Sequence, residues 1–183
     1  EEEDQLDKYK RKYESLTKWI EETALKGQIL RAGISKQLIK SPCAIVADMF
    51  GWTGNMERLA ISAAHQKSND VEKNYFLNQK KILEINPSHA IIKTLLQKVE
   101  EDPNDPEAKS LMVTLFETAK IKSGFMLKSP ADYAEIVEDL IHKVYDIPKD
   151  VPSDSGDDND NNDEAENDEN DSKDDEQSEH DEL

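Results

Sequence analysis

The sequence predicts a mixed α+β fold: a small three-stranded sheet with helices, then a C-terminal helical hairpin, then a disordered acidic tail. Three observations support this class. Apolar residues between positions 105 and 147 recur at the helical period of about 3.6. Short apolar runs near residues 30, 45 and 83 have the length of strands. Residues 151–183 are almost entirely Asp, Glu, Asn and Ser, which cannot bury a core.

The charge of the chain is concentrated at its end. The net charge is -18, but residues 1–150 hold 25 acidic and 22 basic residues, whereas residues 151–183 hold 16 acidic residues and one Lys. The first part therefore has no basic stripe, and we expect no nucleic-acid partner. We divide the chain into a domain at 1–149 and a tail at 150–183.

Residues 4–25 are predicted to form a lead-in helix. Leu6, Tyr9, Tyr13, Leu16 and Ile20 recur at helical spacing, and a glycine follows the segment. The first residue is Glu rather than Met, so we expect a fragment or a processed chain. No apolar run approaches the roughly 18 residues of a membrane span, and we expect the protein not to span a membrane.

Residues 28–105 are predicted to form a mixed α/β core. Segments 28–31 and 34–38 are weak strand candidates separated by Gly33, 43–47 is a stronger one, and 80–85 is the third. The single cysteine, Cys43, excludes an internal disulfide and a cysteine-based metal cluster. We interpret it as a small buried apolar residue, the alternative being a reactive thiol.

A helix is predicted to begin near Thr53, a plausible N-cap, and to carry Trp52, Met56, Leu59 and Ala63 along one side. The polar segment 65–74 is predicted to be a loop. A soft apolar face beside a polar loop could bind an extended or unfolded partner. The alternative is that these are ordinary core residues.

The next helix is predicted to open at Asn86 with a proline at its first position, which makes His89 a first-turn residue. Its buried face comprises Ile91, Ile92, Leu95, Leu96 and Val99.

Residues 106–147 are predicted to form a helical hairpin. Gly124 supplies a stop after the first helix, and Ser129 and Pro130 open the second. The first apolar face comprises Ala108, Leu111, Met112, Leu115, Phe116 and Ala119, and the second Tyr133, Ile136, Val137, Leu140, Ile141, Val144 and Tyr145. Faces this broad must be covered either by the rest of the chain or by a second copy, in a four-helix arrangement.

The sequence gives no support for an enzyme. His65, His89, His142 and His180 lack metal-ligand spacing, and no nucleophile elbow, phosphate loop or CxxC motif is present. We therefore predict no catalytic residue and no formed metal site.

Five motifs occur in order along the chain: SPCAIV (41–46), GWTGNMER (51–58), EINP (84–87), LFETA (115–119) and SGF (123–125). In sequence and spacing they resemble the C-terminal domain of the ninety-kilodalton heat-shock chaperones, and the resemblance covers about residues 12–147. It implies a homodimer in which the last two helices of each protomer form a four-helix bundle. The residues it assigns to that interface are Leu111, Leu115, Phe116, Ala119, Ile136, Val137, Leu140, Ile141 and Val144.

The resemblance also implies that Trp52, Met56 and Leu59 contact unfolded client proteins. Ala60 is smaller than the bulky apolar residue of some members. The ATP- and magnesium-binding part of the family lies outside these residues, so the fragment itself is expected to have no cofactor and no ATPase activity, whereas the full-length parent would have both. With the tail, the chain is similar to the endoplasmic-reticulum branch.

The tail ends in His180, Asp181, Glu182 and Leu183, the tetrapeptide that a receptor reads for retention in the endoplasmic-reticulum lumen. Its carboxylates would attract calcium diffusely and weakly, since oxygen ligands suit that ion. The residues expected to do so are Asp157, Asp158, Asp160, Asp163 and Glu164. An acidic calcium-buffering protein is the alternative function, and a solvated spacer is the simplest role for the tail.

Overall fold

The computed structural model describes residues 2–63 and 71–149. The chain opens with helix α1 (Glu2–Lys12), which passes through Tyr13 into α2 (Glu14–Trp19) and a π-helical turn (Ile20–Ala24). Backbone hydrogen bonds from Tyr13 to Tyr9 and from Thr17 to Tyr13 continue across the junction. Gly27, at φ +76°, reverses the chain after this helical segment.

Three strands form one mixed sheet, as predicted: β1 (Ile29–Ile34), β2 (Cys43–Val46) and β3 (Lys81–Ile85). β3 lies in the middle, parallel to β1 and antiparallel to β2. The expected break at Gly33 is wrong, because Gly33 pairs with Glu84 inside β1. The expected strand at 34–38 is wrong after Ile34, since the Ser35 hydroxyl accepts hydrogen bonds from the N–H groups of Gln37 and Leu38 and turns the chain.

Both outer strands have an edge amide bound by a side chain. The Ala32 N–H donates to the Glu21 carboxylate at 2.7 Å, and the Ile45 N–H donates to the Ser123 hydroxyl at 3.0 Å. Such contacts satisfy backbone groups that an edge strand would otherwise present to another chain.

Helices α3 (Gly54–Ser62) and α4 (Val71–Asn78) lie between β2 and β3 in the chain. Thr53 is the N-cap of α3, as predicted, and its hydroxyl accepts from the Met56 N–H. The predicted loop at 65–74 is wrong from Val71 onward, where the chain is helical. The ring of Phe76 in α4 stacks on Trp52, and this tertiary contact favours a helix in an otherwise polar segment.

Helix α5 (Ala90–Glu101) begins later than expected, because His89 is its N-cap. The His89 Nδ1 atom accepts from the Ile91 N–H at 3.2 Å. Asn86 is not the N-cap of α5. Its side-chain amide donates hydrogen bonds to the carbonyl oxygens of Ile39 and Ser41, which connects the segment after β3 to the segment before β2. The predicted role of His89 as a first-turn residue is therefore corrected to a capping role.

The hairpin consists of α6 (Pro106–Lys122) and α7 (Pro130–Val144). Asp105 and Ser129 cap the two helices, each followed by proline. Gly124, at φ +82°, closes α6: its N–H donates to Ile121 and the Phe125 N–H donates to Lys120. The caps predicted for the second helix and the stop at Gly124 are confirmed.

One hydrophobic core joins the sheet, the initial helical segment, α5 and α6. Its fully buried larger members are Tyr13, Leu16, Ile20, Leu25, Leu83, Ile85, Ile92, Leu95 and Met112. Cys43 is buried in the same core, as predicted, and burial raises the pKa of its thiol to about 11. No helix in the described ranges combines the length and apolar character that crossing a membrane requires.

Candidate pairing and docking surfaces

The apolar face of α6 is covered by its own chain. Leu115, Phe116 and Ala119 are buried, and Leu111 packs at the margin of the core. Of the two possibilities for the hairpin faces, cover by the rest of the chain therefore applies to α6. The physical reason is that its apolar face lies against β2 and α5. The place of these four residues in a dimer interface stays a prediction.

Helix α7 is the opposite case, because none of its residues is buried. Val137, Leu140 and Ile141 are more than one-third exposed, and Val144 is 75% exposed. Ile136 is half-buried. Within the described part of the chain, α7 meets α6 at few points, one of them a 3.4 Å contact between the Thr118 and Tyr133 hydroxyls. A stripe of this size left in water is typical of a protein interaction site.

The end of α7 is held in a defined shape. The Ile147 N–H donates to the carbonyl oxygen of His142, and the His142 Nδ1 atom lies 3.0 Å from the carbonyl oxygen of Ile147. Asp146 adopts a positive φ of 54° at this turn. His142 thus has a local structural role, and Ile147 extends the exposed apolar surface beyond the helix.

Further exposed apolar side chains lie on α3 and in the segment just before it, and we call these four residues together the α3 surface: Met49, Phe50, Met56 and Leu59. Leu59 is 71% exposed and Met56 is 47% exposed. Met49 and Phe50 were not predicted as site residues, yet they are 85% and 79% exposed. Their signal in the sequence was two large apolar residues directly before the Gly51 turn, a position that cannot enter the core easily.

Trp52 differs from the two residues predicted with it. Its ring stacks on Phe76 of α4 at a centroid distance of 4.8 Å and an interplanar angle of 11°, and Tyr75 meets Phe76 edge-on. Trp52 is consequently half-buried. It packs against α4, whereas Met56 and Leu59 are exposed to solvent.

No metal centre is formed among the residues that the structure describes, since no three His, Cys, Asp or Glu side chains converge. The tail residues predicted to attract calcium, Asp157, Asp158, Asp160, Asp163 and Glu164, lie outside the described residues. The predicted retention signal, His180 to Leu183, also lies outside them.

Comparison of the sequence with known protein families identifies the class of protein to which this fold belongs. A family model described as Hsp90 protein matches residues 1–178. The chain therefore belongs to the Hsp90 family, whose members are ATPase chaperones that act as dimers with clients.

Two relatives show the same kinship. An endoplasmin homolog from Caenorhabditis elegans is 42% identical over 138 residues, which are 75% of this chain and 18% of the relative. A putative heat shock protein HSP 90-beta-3 from Homo sapiens is 39% identical over 141 residues, which are 77% of this chain and 23% of the relative. The chain thus spans about a fifth of the length of these relatives.

Proposed function

We propose that this chain is the C-terminal pairing and client-contacting part of an ATP-dependent chaperone. The observation that carries the proposal is the uncovered apolar stripe of α7, the last helix of the described residues, in a chain whose family acts as dimers. A second α7 would bury Val137, Leu140, Ile141 and Val144 with matched chemistry. Large apolar side chains gain about 1.5–3 kcal/mol each on full burial, which favours pairing.

In a two-fold dimer the same surface of each protomer contacts its copy. The apolar stripe of α7 fits this requirement, because it can pack against the same stripe of a second chain. Acidic and basic residues such as Glu138, Asp139 and Lys143 flank the stripe. We expect α7 to contribute most of the interface and α6 to act as its support, since the face of α6 is already occupied.

The test is the oligomeric state of the full 183-residue chain. We expect sedimentation to show dimers at tens of micromolar and Leu140→Asp to shift the protein to monomers. Glu138→Lys, an exposed change on the same helix, is the matched control and should leave dimers. A wild-type chain that stays monomeric, or an undiminished Leu140→Asp dimer of normal secondary structure, would contradict the proposal.

We further propose that the α3 surface docks unfolded clients. Methionine and phenylalanine adapt to many apolar sequences, because their side chains are flexible or broad. Substituting Met56 and Leu59 by Ser should reduce photocrosslinking to a reduced, permanently unfolded protein. Ile61→Ser, on the same helix, is the control. Unchanged crosslinking by the folded Met56/Leu59 variant would remove this role.

We propose residence in the endoplasmic-reticulum lumen, as the luminal, endoplasmin-like member of the family. The similarity to an endoplasmin homolog and the terminal His180-Asp181-Glu182-Leu183 sequence support it. The retention-signal receptor would then be a partner. Deleting Leu183 from a chain given a secretory leader should release it into the medium, and continued retention would contradict the assignment.

ATP and magnesium are proposed for the full-length parent, outside this chain, and no catalytic residue is proposed within it. The alternative function is low-affinity calcium buffering by the acidic tail. The 16 acidic residues in 151–183 favour weak binding of several ions. Calorimetry with calcium on chains 1–183 and 1–150 distinguishes the two: equal heats would remove the buffering role.

A further inference from the structure

The first turn of α3 touches the connection between α6 and α7 so closely that no side chain fits between them. A Cβ atom added to Gly54 would lie 2.5 Å from the carbonyl carbon of Gly124, 2.6 Å from its oxygen and 2.7 Å from the carbonyl oxygen of Ser123. These are backbone atoms, so neither side can yield by rotating a side chain. The start of α3 therefore rests directly on the cap of α6.

A second contact holds the same turn from the sheet side. Glu57, almost fully buried, lies 2.6 Å from the Lys81 ammonium of β3. Lys81 also donates to the carbonyl oxygen of Gln79 at 2.9 Å, and its Nζ atom lies 5.4 Å from the ring centroid of Phe125. Phe125 directly follows Gly124, so Gly54 and Lys81 both contact the segment 123–125, the first through its backbone and the second through the Phe125 ring.

The connection itself is well anchored. The Ser123 hydroxyl is bonded to the amide of Ile45 in β2, and the Phe125 N–H is bonded to Lys120 in α6. Phe125 is buried. Helix α7 starts five residues later, so the segment that carries the α3 surface and the segment that leads into α7 share one fixed support.

We propose that Gly54, Glu57 and Lys81 are positioning residues that fix the direction of α3 relative to α6 and the start of α7. The proposal rests on the proposed docking function in one respect, the purpose of the fixed direction. That purpose is to present Met56 and Leu59 at a constant angle to α6 and the start of α7. The geometric contacts support a fixed angle because a close backbone contact and a buried charge pair both restrict the same turn.

The expected behaviour differs from that of residues which merely stabilise. If α3 is oriented by this joint, loss of Lys81 charge frees the helix to take several directions while it remains folded. Lys81→Arg keeps a positive charge near Phe125, so it should preserve the direction. Lys80→Met, at the exposed position next to Lys81, is the matched control.

The experiment is a distance measurement by electron paramagnetic resonance on the full chain. Spin labels are attached to Ser62→Cys in α3 and Lys109→Cys in α6, both exposed, and labelled chains are mixed with an excess of unlabelled chains. Cys43 is buried and escapes labelling. We expect one narrow distance peak in the otherwise unchanged chain, in Lys80→Met and in Lys81→Arg.

In Lys81→Met, Glu57→Gln and Gly54→Val we expect loss of that narrow peak and a broadened or displaced distribution. Glu57→Gln keeps the volume of the side chain, so it provides a folded variant if the larger changes prevent folding. Variants that melt at lower temperature but keep the narrow peak would overturn the proposal, because the joint would then contribute stability alone.

Crosslinking to the unfolded protein, measured on the Met56→Ser/Leu59→Ser variant, separates this proposal from the docking role. If Glu57→Gln loses the narrow peak while Met56→Ser/Leu59→Ser crosslinks normally, positioning is supported and docking is refuted. If Glu57→Gln keeps the narrow peak while Met56→Ser/Leu59→Ser no longer crosslinks, positioning is refuted and docking is supported.

Discussion

Ser123 and Ile45 are joined by a 3.0 Å hydrogen bond in which the strand amide donates to the side-chain hydroxyl. Ser123 is the last residue before the Gly124 turn, and Ile45 lies in the outer strand β2. The contact fastens the end of α6 to the edge of the sheet. It therefore fixes where the connection to α7 begins.

Ser123→Ala should lower the free energy of unfolding by about 1 kcal/mol, because the Ile45 N–H loses its acceptor at a partly buried site. Urea unfolding followed by circular dichroism measures the change. Ser110→Ala, at an exposed position of α6, is the control and should leave stability nearly unchanged. Equal effects at the two positions would show that the Ile45 contact contributes nothing.

Tyr13→Phe should destabilise the domain by about 1–3 kcal/mol, because it leaves a buried carbonyl oxygen without its donor. Tyr13 is fully buried, and its hydroxyl donates to the carbonyl oxygen of Pro87 at 2.7 Å. Thermal and urea unfolding measure the loss. Tyr145→Phe, on an exposed ring, should be neutral in a dilute monomeric sample.

Gly124→Ala should cost about 1–2 kcal/mol, because an L side chain is strained in the left-handed conformation that this cap requires. The measured quantity is again the free energy of unfolding. Gly33→Ala is the control: Gly33 lies in a strand, and a Cβ atom there would make only an ordinary 3.4 Å contact with Arg31. A larger loss for Gly33→Ala would contradict this account.

Alkaline pH should destabilise the fold through Cys43. Burial raises the thiol pKa from 9.0 to about 11, so the folded state keeps its proton where the unfolded state loses it. This contribution is fully present below pH 9.0 and is lost as the pH rises toward about 11. The loss should reach about 2–3 kcal/mol.

Urea unfolding of the unmodified chain and Cys43→Ala across that range isolates the effect. The Cys43→Ala variant will be less stable at neutral pH, because it leaves a small cavity, but its alkaline decline should be shallower. Burial also raises the pKa of Tyr13 above 10.0, which lowers stability in the same direction within the upper part of this pH range, so Tyr13→Phe serves as the reference. Parallel declines with and without Cys43 would refute the assignment.

Local signals predicted much of the fold. Thr53, Ser129-Pro130 and Gly124 each satisfy or terminate a helix end within a few residues, so their roles follow from nearby backbone chemistry. The break predicted at Gly33 and the loop predicted at Val71 are wrong, because contacts with residues distant in the sequence favour a strand at the first and a helix at the second. Glu84 pairs with Gly33, and the Trp52 ring stacks on Phe76 of the same helix as Val71.

The sequence alone determined the helical period of α6 and α7 and the family motifs, since each depends on spacing along one segment. It could not determine which hairpin face was already covered, because Phe116 and Leu140 have the same apolar spacing. Only the tertiary structure placed Phe116 against the core and left Leu140 exposed. Whether a helix face is buried depends on which other segments pack against it. The packing of β2 and α5 on α6 joins residues that are distant in the sequence, so the local spacing of apolar residues does not predict it.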